Sequence, residues 1–203
     1  MPLRAFRCAA RAAGRLVMWR GVPLLVALFA GVSVQAAEVL NLDVATRDKD
    51  YLVDLEVRIA APMQSAWDVF TDYEHLTALN PALHESRLLS QPAPDTYRVR
   101  GLTRMCVLIF CKSLRHVQRF RELQGGVLEA DIEPRGSDFT AGHARWEFSD
   151  EAGFTRVVFK GQFRPRFWVP PLIGPWAVKR ALRQISLDTA LGLERIAQSG
   201  EVR

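Results

Sequence analysis

The sequence lacks the residue patterns that mark the common enzyme classes. It contains four histidines in 203 residues. None of them has metal-ligand spacing on one helix, and there is no His-Glu-x-x-His run. A serine-nucleophile elbow, a glycine-rich phosphate loop and a dinucleotide fingerprint are also missing. These absences exclude the usual zinc hydrolases, serine hydrolases and nucleotide-dependent enzymes. We therefore expect no metal and no cofactor, and we assign no catalytic residue.

Acidic residues are missing from the first 36 positions, which carry five arginines. An apolar run over residues 21–34 follows, and small residues stand at Ala36 and Ala37. A basic start, a short apolar run and a small-residue site are the parts of a secretory signal peptide. The run is too short for a comfortable membrane span. We expect residues 1–36 to be a cleaved signal peptide and residues 37–203 to be one domain, exported to the periplasm. The alternative is an uncleaved N-terminal membrane anchor.

The excess positive charge belongs to that N-terminal segment. The whole sequence has 27 basic and 22 acidic residues, which gives a net charge of +5. The five N-terminal arginines account for the whole difference, so residues 37–203 have no net charge. A broad basic surface for nucleic acid is therefore excluded, and we expect no nucleic-acid partner.

Cysteine is scarce, with three residues in the chain. Lipid attachment requires a cysteine directly after the apolar run. Cys8 precedes the run, and no cysteine stands directly after it. Cys106 and Cys111 remain in the exported part, where cysteines often pair. They form a disulfide candidate if a tight turn lies between them. On one straight strand they would face opposite sides and could not pair. Two thiols without a nearby ligand pair do not make a zinc site.

Alternating polar and apolar residues dominate the chain from residue 38 to residue 163 and predict antiparallel strands joined by short turns. Helical spacing interrupts them at residues 63–70 and in a second short segment ending near Leu79. A long helix is expected over 175–197, where Val178, Leu182 and Ile185 begin an apolar stripe. The pattern predicts an α+β fold. A curved antiparallel sheet of about six to seven strands wraps around the C-terminal helix, with two short helices after the first core strand.

Two segments of the chain contain a distinctive set of features: Ala61-Pro62, Trp67, the run Thr71 to Glu74, Asn80-Pro81, the run Phe167 to Pro175, and Leu193-Glu194. With these features the chain resembles the START-like superfamily, also called polyketide cyclase/dehydrase-like or SRPBCC, and within it the bacterial coenzyme-Q-binding branch. The resemblance covers residues 50–198. It implies a helix-grip fold, in which the sheet grips the C-terminal helix around an apolar cavity. Members of the superfamily bind lipids, quinones, sterols or plant hormones, and some are cyclases.

The strand faces and the apolar stripe indicate which residues would line such a cavity. The candidates for ligand binding are Val99, Thr103, Met105, His116, Ala144, Trp146, Phe159, Phe163, Trp168 and Leu182. For each aromatic residue among them, core packing is the alternative. The apolar loop before the long helix is interpreted as a gate, with Trp168, Leu172, Ile173 and Trp176 as its contact residues. The alternative is a loop that packs shut over the core.

The sequence therefore predicts a periplasmic START-like protein that binds or carries a hydrophobic small molecule, with transient membrane contact through the gate loop. One alternative is an enzyme of the cyclase/dehydratase type, with His116 or His143 as acid and base. Another alternative is a structural or interaction protein with a closed core. The binding hypothesis requires a large apolar cavity. The enzyme hypothesis requires at least two titratable groups facing that cavity.

Overall fold

The structure is a computed structural model, and it describes residues 37–107, 110–169 and 174–200. Its strands are β1 (Glu38–Arg47), β2 (Asp50–Ile59), β3 (Leu83–Ala93), β4 (Thr96–Val107), β5 (Phe110–Leu123), β6 (Val127–Glu133), β7 (Phe139–Glu151) and β8 (Phe154–Pro165). Its helices are α1 (Met63–Thr71), a 3₁₀ turn (Leu76–Ala78) and α2 (Gly174–Ser199). The predicted α+β order is confirmed, with eight strands instead of six to seven.

The eight strands form one antiparallel sheet in the order β1-β2-β8-β7-β6-β5-β4-β3. Neighbours in sequence pair as hairpins everywhere except between β2 and β3, where α1 and the 3₁₀ turn carry the chain to the opposite edge. Strand β8 returns to pair with β2, with Tyr51 opposite Phe163. Helix α2 then follows β8 and packs across the concave face, which makes the fold a helix grip.

Helix α1 fills one half of the space under α2 with aromatic side chains. The ring of Phe70 lies 5.4 Å from that of Trp146 and 5.6 Å from that of Phe148. Tyr73 follows α1, and its ring lies 5.0 Å from that of Phe120. Such contacts between tilted rings at 4.5–7 Å are favourable beyond the area that they bury. The hydrophobic core therefore lies under the C-terminal half of α2, where Leu193 is buried.

Polar contacts fix α2 on this core. Glu194 is only 5% exposed, and its Oε2 accepts a hydrogen bond from the backbone N–H of Ala60 at 2.9 Å. The Nε2 of Gln198 donates to the carbonyl oxygen of the same Ala60 at 2.9 Å. Glu194 lies outside the apolar stripe of α2 and is nevertheless buried. A backbone group from the end of β2 lies beside the carboxylate, so its burial is compensated.

The loop after α1 lies directly against α2. A Cβ placed on Gly192 would be 1.9 Å from the carbonyl oxygen of Leu79, so glycine is required for this approach. The buried Asn80 donates from Nδ2 to the carbonyl oxygen of Ile185 and to Oγ1 of Thr189, each at 2.8 Å. Within the described residues, no helix is both long and apolar enough to cross a membrane.

Candidate functional site

A cavity of about 190 Å³ lies between the N-terminal half of α2 and the concave face of the sheet. Helix α1 and its aromatic neighbours do not reach this half. The lining is mostly apolar and consists of Tyr51, Thr103, Met105, Leu114, His116, Gln118, Ile132, Phe139, Phe163, Pro165, Phe167, Val178, Leu182 and Ile185. A mostly apolar wall with a few convergent polar groups is typical of a small-molecule site.

His116 is the most unusual side chain of this wall. It stands on β5 directly opposite Gly101 of β4. Its Nε2 lies 3.0 Å from Oγ1 of Thr103, at hydrogen-bond distance. Its Nδ1 is buried and has no hydrogen-bond partner within the described residues. A buried polar atom without a partner costs free energy, so a further hydrogen bond at Nδ1 would be favourable.

The imidazole of His116 is neutral at physiological pH. Burial, the larger effect, lowers its pKa to about 4, while the side chain of Gln118 acts in the opposite direction. A neutral imidazole has one donor and one acceptor nitrogen. With Nε2 engaged by Thr103, Nδ1 offers one hydrogen bond to a neutral hydroxyl or carbonyl group.

Tyr51 is the second titratable side chain of the wall, and burial raises the pKa of its phenol. The neighbouring Asp50 receives two hydrogen bonds from the guanidinium of Arg164, one of them at 2.7 Å, and one from Gln162 at 2.7 Å. These contacts, led by Arg164, hold the pKa of the Asp50 carboxyl below its usual range. The bonds fasten the start of β2 to the end of β8, which keeps Tyr51 and Phe163 side by side in the wall.

Five of the ten residues expected to line the cavity are on its wall. Thr103 and Met105 come from β4, His116 from β5, Phe163 from β8 and Leu182 from α2. They share the concave face because alternate residues of a strand point the same way.

The other five candidates lie elsewhere. Val99 and Ala144 are buried in the core, and Trp146 stacks beside Phe159 with ring centroids 5.0 Å apart. These four have the expected inward orientation, but they lie under the half of the sheet that α1 covers. Trp168 is 77% exposed and forms no part of the wall. Alternation identifies the face of a residue but not its position along the strand.

Nine wall residues are not among the sequence candidates: Tyr51, Leu114, Gln118, Ile132, Phe139, Pro165, Phe167, Val178 and Ile185. For four of them, spacing in the sequence indicates that they face the cavity. Leu114 and Gln118 are two positions from His116, and Val178 and Ile185 share the apolar stripe of Leu182. The others depend on which strand ends meet at this end of the sheet, which residue periodicity does not reveal.

Two further predictions concern the segments around the cavity. Of the gate residues, Trp168 and Trp176 are exposed, whereas Leu172 and Ile173 lie outside the described residues. Cys106 and Cys111 are directly opposite each other on β4 and β5, and a disulfide joins them. The two cysteines thus lie on two paired strands, as the disulfide requires, and not on one straight strand.

His143, the other histidine considered for acid–base chemistry, does not face the cavity. It is exposed, and its Nδ1 lies 2.8 Å from Oδ1 of Asp131 on the neighbouring strand. An exposed ion pair of this kind is a surface contact of small energetic weight. Among the described residues, no group of three or more His, Cys, Asp or Glu side chains is arranged to hold a metal ion.

Comparison with known proteins agrees with the fold. Residues 52–197 match the family model described as polyketide cyclase / dehydrase and lipid transport. The chain belongs to this family. The resemblance to the START-like superfamily is thereby confirmed. A search of curated protein sequences gave no match.

Several solved structures share the fold at low sequence identity. The protein TTHA0849 from Thermus thermophilus has a TM-score of 0.62 at 18% identity, over 74% of this chain and 99% of that chain. The Zhui aromatase/cyclase from Streptomyces sp. R1128 has a TM-score of 0.62 at 15% identity, over 75% and 97%. A START superfamily protein from Mycobacterium smegmatis has a TM-score of 0.59 at 17% identity, over 73% and 97%. Identities this low show the common fold alone.

Proposed function

We propose that this protein is exported and binds a hydrophobic small molecule in the cavity under α2. The observation that carries the proposal is the mostly apolar cavity itself, with His116 and its unpartnered Nδ1 in the wall. Burial of apolar ligand surface supplies the affinity, at about 25 cal/mol per Å² before the costs of binding. The hydrogen bond to His116 supplies orientation. The preferred ligand is therefore apolar with one neutral polar group.

The size of the cavity limits what can enter it whole. Pockets for drug-sized ligands span about 300–1,000 Å³, and the cavity here measures about 190 Å³. An engineered cavity of about 150 Å³ in another protein binds benzene. The cavity thus suits one ring or a short chain. A lipid or a quinone would place only its ring or one segment of its chain there, with the remainder extending past Phe167.

Export is supported by two independent features. The first 36 residues have the composition of a signal peptide. The disulfide between Cys106 and Cys111 is a bond that persists in oxidising compartments such as the periplasm.

A second candidate function is a cyclase or dehydratase reaction in the same cavity. Tyr51 and His116 both line it, so the requirement for two titratable groups is met. General acid–base catalysis is most efficient when the pKa of the group is near the working pH. His116 has a pKa of about 4 and is a weak base at neutral pH. This favours binding over proton transfer. A closed core, the third alternative, does not agree with a cavity of about 190 Å³.

The test uses two probes that differ by one polar group, 4-fluorotoluene and 4-fluorophenol, with binding followed by fluorine NMR. Leu182→Trp fills the cavity and should abolish binding of both probes. Leu191→Trp, at a residue of the same helix that is 49% exposed, is the matched control and should change neither. His116→Leu should weaken 4-fluorophenol about tenfold and leave 4-fluorotoluene nearly unchanged, because one hydrogen bond is lost. Equal binding to wild type and Leu182→Trp would contradict the proposal.

A further inference from the structure

Charge is distributed unevenly between the two ends of the sheet. We call the end at which the cavity lies the cavity end; its segments are residues 47–50, 105–112, 134–139 and 165–180, as far as the structure describes them. These segments carry seven cations, Arg47, Lys49, Lys112, Arg135, Arg166, Lys179 and Arg180, and three acids, Asp48, Asp50 and Asp138. The turns of the opposite end, 93–96, 122–127 and 150–154, carry Asp95, Glu122, Asp150 and Glu151 and no cation.

The acids of the cavity end are largely neutralised by local contacts. Asp50 is bound by the guanidinium of Arg164. Asp138 accepts the backbone N–H of Arg115 at 2.8 Å, and its carboxylate lies 3.8 Å from the Arg115 guanidinium. By contrast, Arg135 and Arg180 have neither an ion pair nor a hydrogen bond within the part of the chain that the structure describes. Cations without acidic partners thus remain available at this end.

Arginines of the central strands, by contrast, form ion pairs with glutamates. Arg98 and Arg119 both bind Glu133, and Arg121 and Arg145 both bind Glu129. Their charges are satisfied on the outer face of the sheet. Arg87 and Lys160 also have no ion pair within the described residues, but the cavity end gathers seven cations against three acids.

Two tryptophans stand on the same end. Trp168 is 77% exposed and Trp176 is 57% exposed, the highest values among the large hydrophobic residues that the structure describes. Their sequence neighbours Phe167 and Val178 line the cavity, so the rings flank it. Lys112 reaches across from β5, with Nζ 4.4 Å from the centroid of the Phe167 ring. Exposed tryptophan beside cations matches the composition of membrane–water interfaces, where the amphipathic indole ring is enriched.

We propose that the cavity end is a docking surface for an anionic lipid bilayer. Trp168 and Trp176 enter the headgroup region, while Arg135, Lys179 and Arg180 lie against the lipid phosphates. The acidic turns at the opposite end are repelled by the same surface, so the molecule is oriented with its cavity toward the lipid. Tryptophan and arginine are also enriched in protein interfaces, but there they cluster in a contiguous patch from which water is excluded. Single tryptophans separated by cations fit a fluid surface better. The inference is independent of the ligand of the cavity.

The test measures co-sedimentation of the protein, purified from cells that export it, with vesicles of 30% phosphatidylglycerol and 70% phosphatidylcholine. Trp168→Ser/Trp176→Ser should lower the partition coefficient about tenfold. Leu123→Ser/Leu191→Ser removes two other exposed apolar side chains and should lower it less than twofold. Arg135→Glu/Arg180→Glu should also weaken binding about tenfold. The control for this charge reversal is Arg87→Glu/Lys160→Glu, which changes the net charge by the same amount at residues away from the cavity end.

A second readout reports contact directly. Brominated lipids quench tryptophan fluorescence on contact. Quenching in the wild type should be largely lost in Trp168→Phe/Trp176→Phe, and raised salt should weaken binding because it screens the charges. Equal loss of binding in each variant and its control would overturn the proposal. Unchanged quenching after both replacements would overturn it as well.

Discussion

The imidazole of His116 lies flat against Gly101, its cross-strand partner. A Cβ on Gly101 would be 2.1 Å from Cε1 of the ring, a distance that no real contact permits. The absence of a side chain at residue 101 is therefore what lets the imidazole lie along β4 and reach Oγ1 of Thr103. The position of the His116 imidazole therefore depends on glycine at residue 101.

Gly101→Ala should displace the imidazole and destabilise the protein. Overpacking of a filled site costs about 1–3 kcal/mol, and 4-fluorophenol should bind more weakly because Nδ1 is no longer in place. The double variant Gly101→Ala/His116→Ala separates steric conflict from other effects. Its loss of unfolding free energy, measured by urea denaturation, should be smaller than the sum of the two single losses. Additive losses would show that the two residues do not compete for space.

The stability of the protein should fall with acid in a window set by His116. Burial lowers the pKa of this imidazole from 6.5 to about 4. Between these values the unfolded state holds the proton and the folded state does not. The contribution of the neutral imidazole to the free energy of unfolding is complete above pH 6.5. It is lost as the pH falls toward 4, and the loss amounts to about 3 kcal/mol.

His116→Gln provides the control for this pH dependence. It removes the titrating group and leaves other shifted groups, such as Glu133, in place. The difference in unfolding free energy between pH 7 and pH 4 should be about 3 kcal/mol smaller in the variant. The same pH dependence in both proteins would mean that the imidazole titrates normally in the folded state.

Asn80 should be a key residue for the position of α2. It is 4% exposed, donates to Ile185 and Thr189, and accepts the backbone N–H of Ala82 at 2.7 Å. Asn80→Ala leaves these buried partners unsatisfied and should cost about 2–4 kcal/mol. Gln184→Ala, which removes an exposed hydrogen bond to Asp188, should cost less than about 0.5 kcal/mol. Urea denaturation of both variants checks this, and equal costs would refute the assigned role.

The disulfide should stabilise the protein modestly. The bond between Cys106 and Cys111 closes a loop of six residues, for which the chain-entropy model gives about 2 kcal/mol. Cys106→Ser/Cys111→Ser should lower the unfolding free energy by that amount and should make it insensitive to reductant. A wild-type protein equally insensitive to reductant would show that the bond does not form in solution.

The sequence predicts the order of elements because periodicity and turn residues are local signals. It places Val99 and Thr103 on one face of β4, and both indeed point inward. They are four residues apart, about 13 Å along a strand, and only Thr103 reaches the cavity. Which half of the sheet α1 covers depends on packing between distant parts of the chain. No local pattern contains that information.

The burial of Glu194 has the same cause. Its partner, the backbone N–H of Ala60, is 134 residues away in sequence, so a polar residue on a helix is expected to be exposed until the fold is known. The sequence leaves the disulfide open for a related reason, because the pairing of two cysteines depends on whether a turn separates them. Here β4 and β5 place Cys106 opposite Cys111.

The most direct test of the account is native mass spectrometry of the protein purified from cells that export it, followed by organic extraction. We expect a bound apolar molecule with one polar group at near one-to-one stoichiometry, and we expect its absence from Leu182→Trp. A wild-type protein that carries no such molecule and binds neither 4-fluorotoluene nor 4-fluorophenol would contradict the central claim that the cavity is a ligand site.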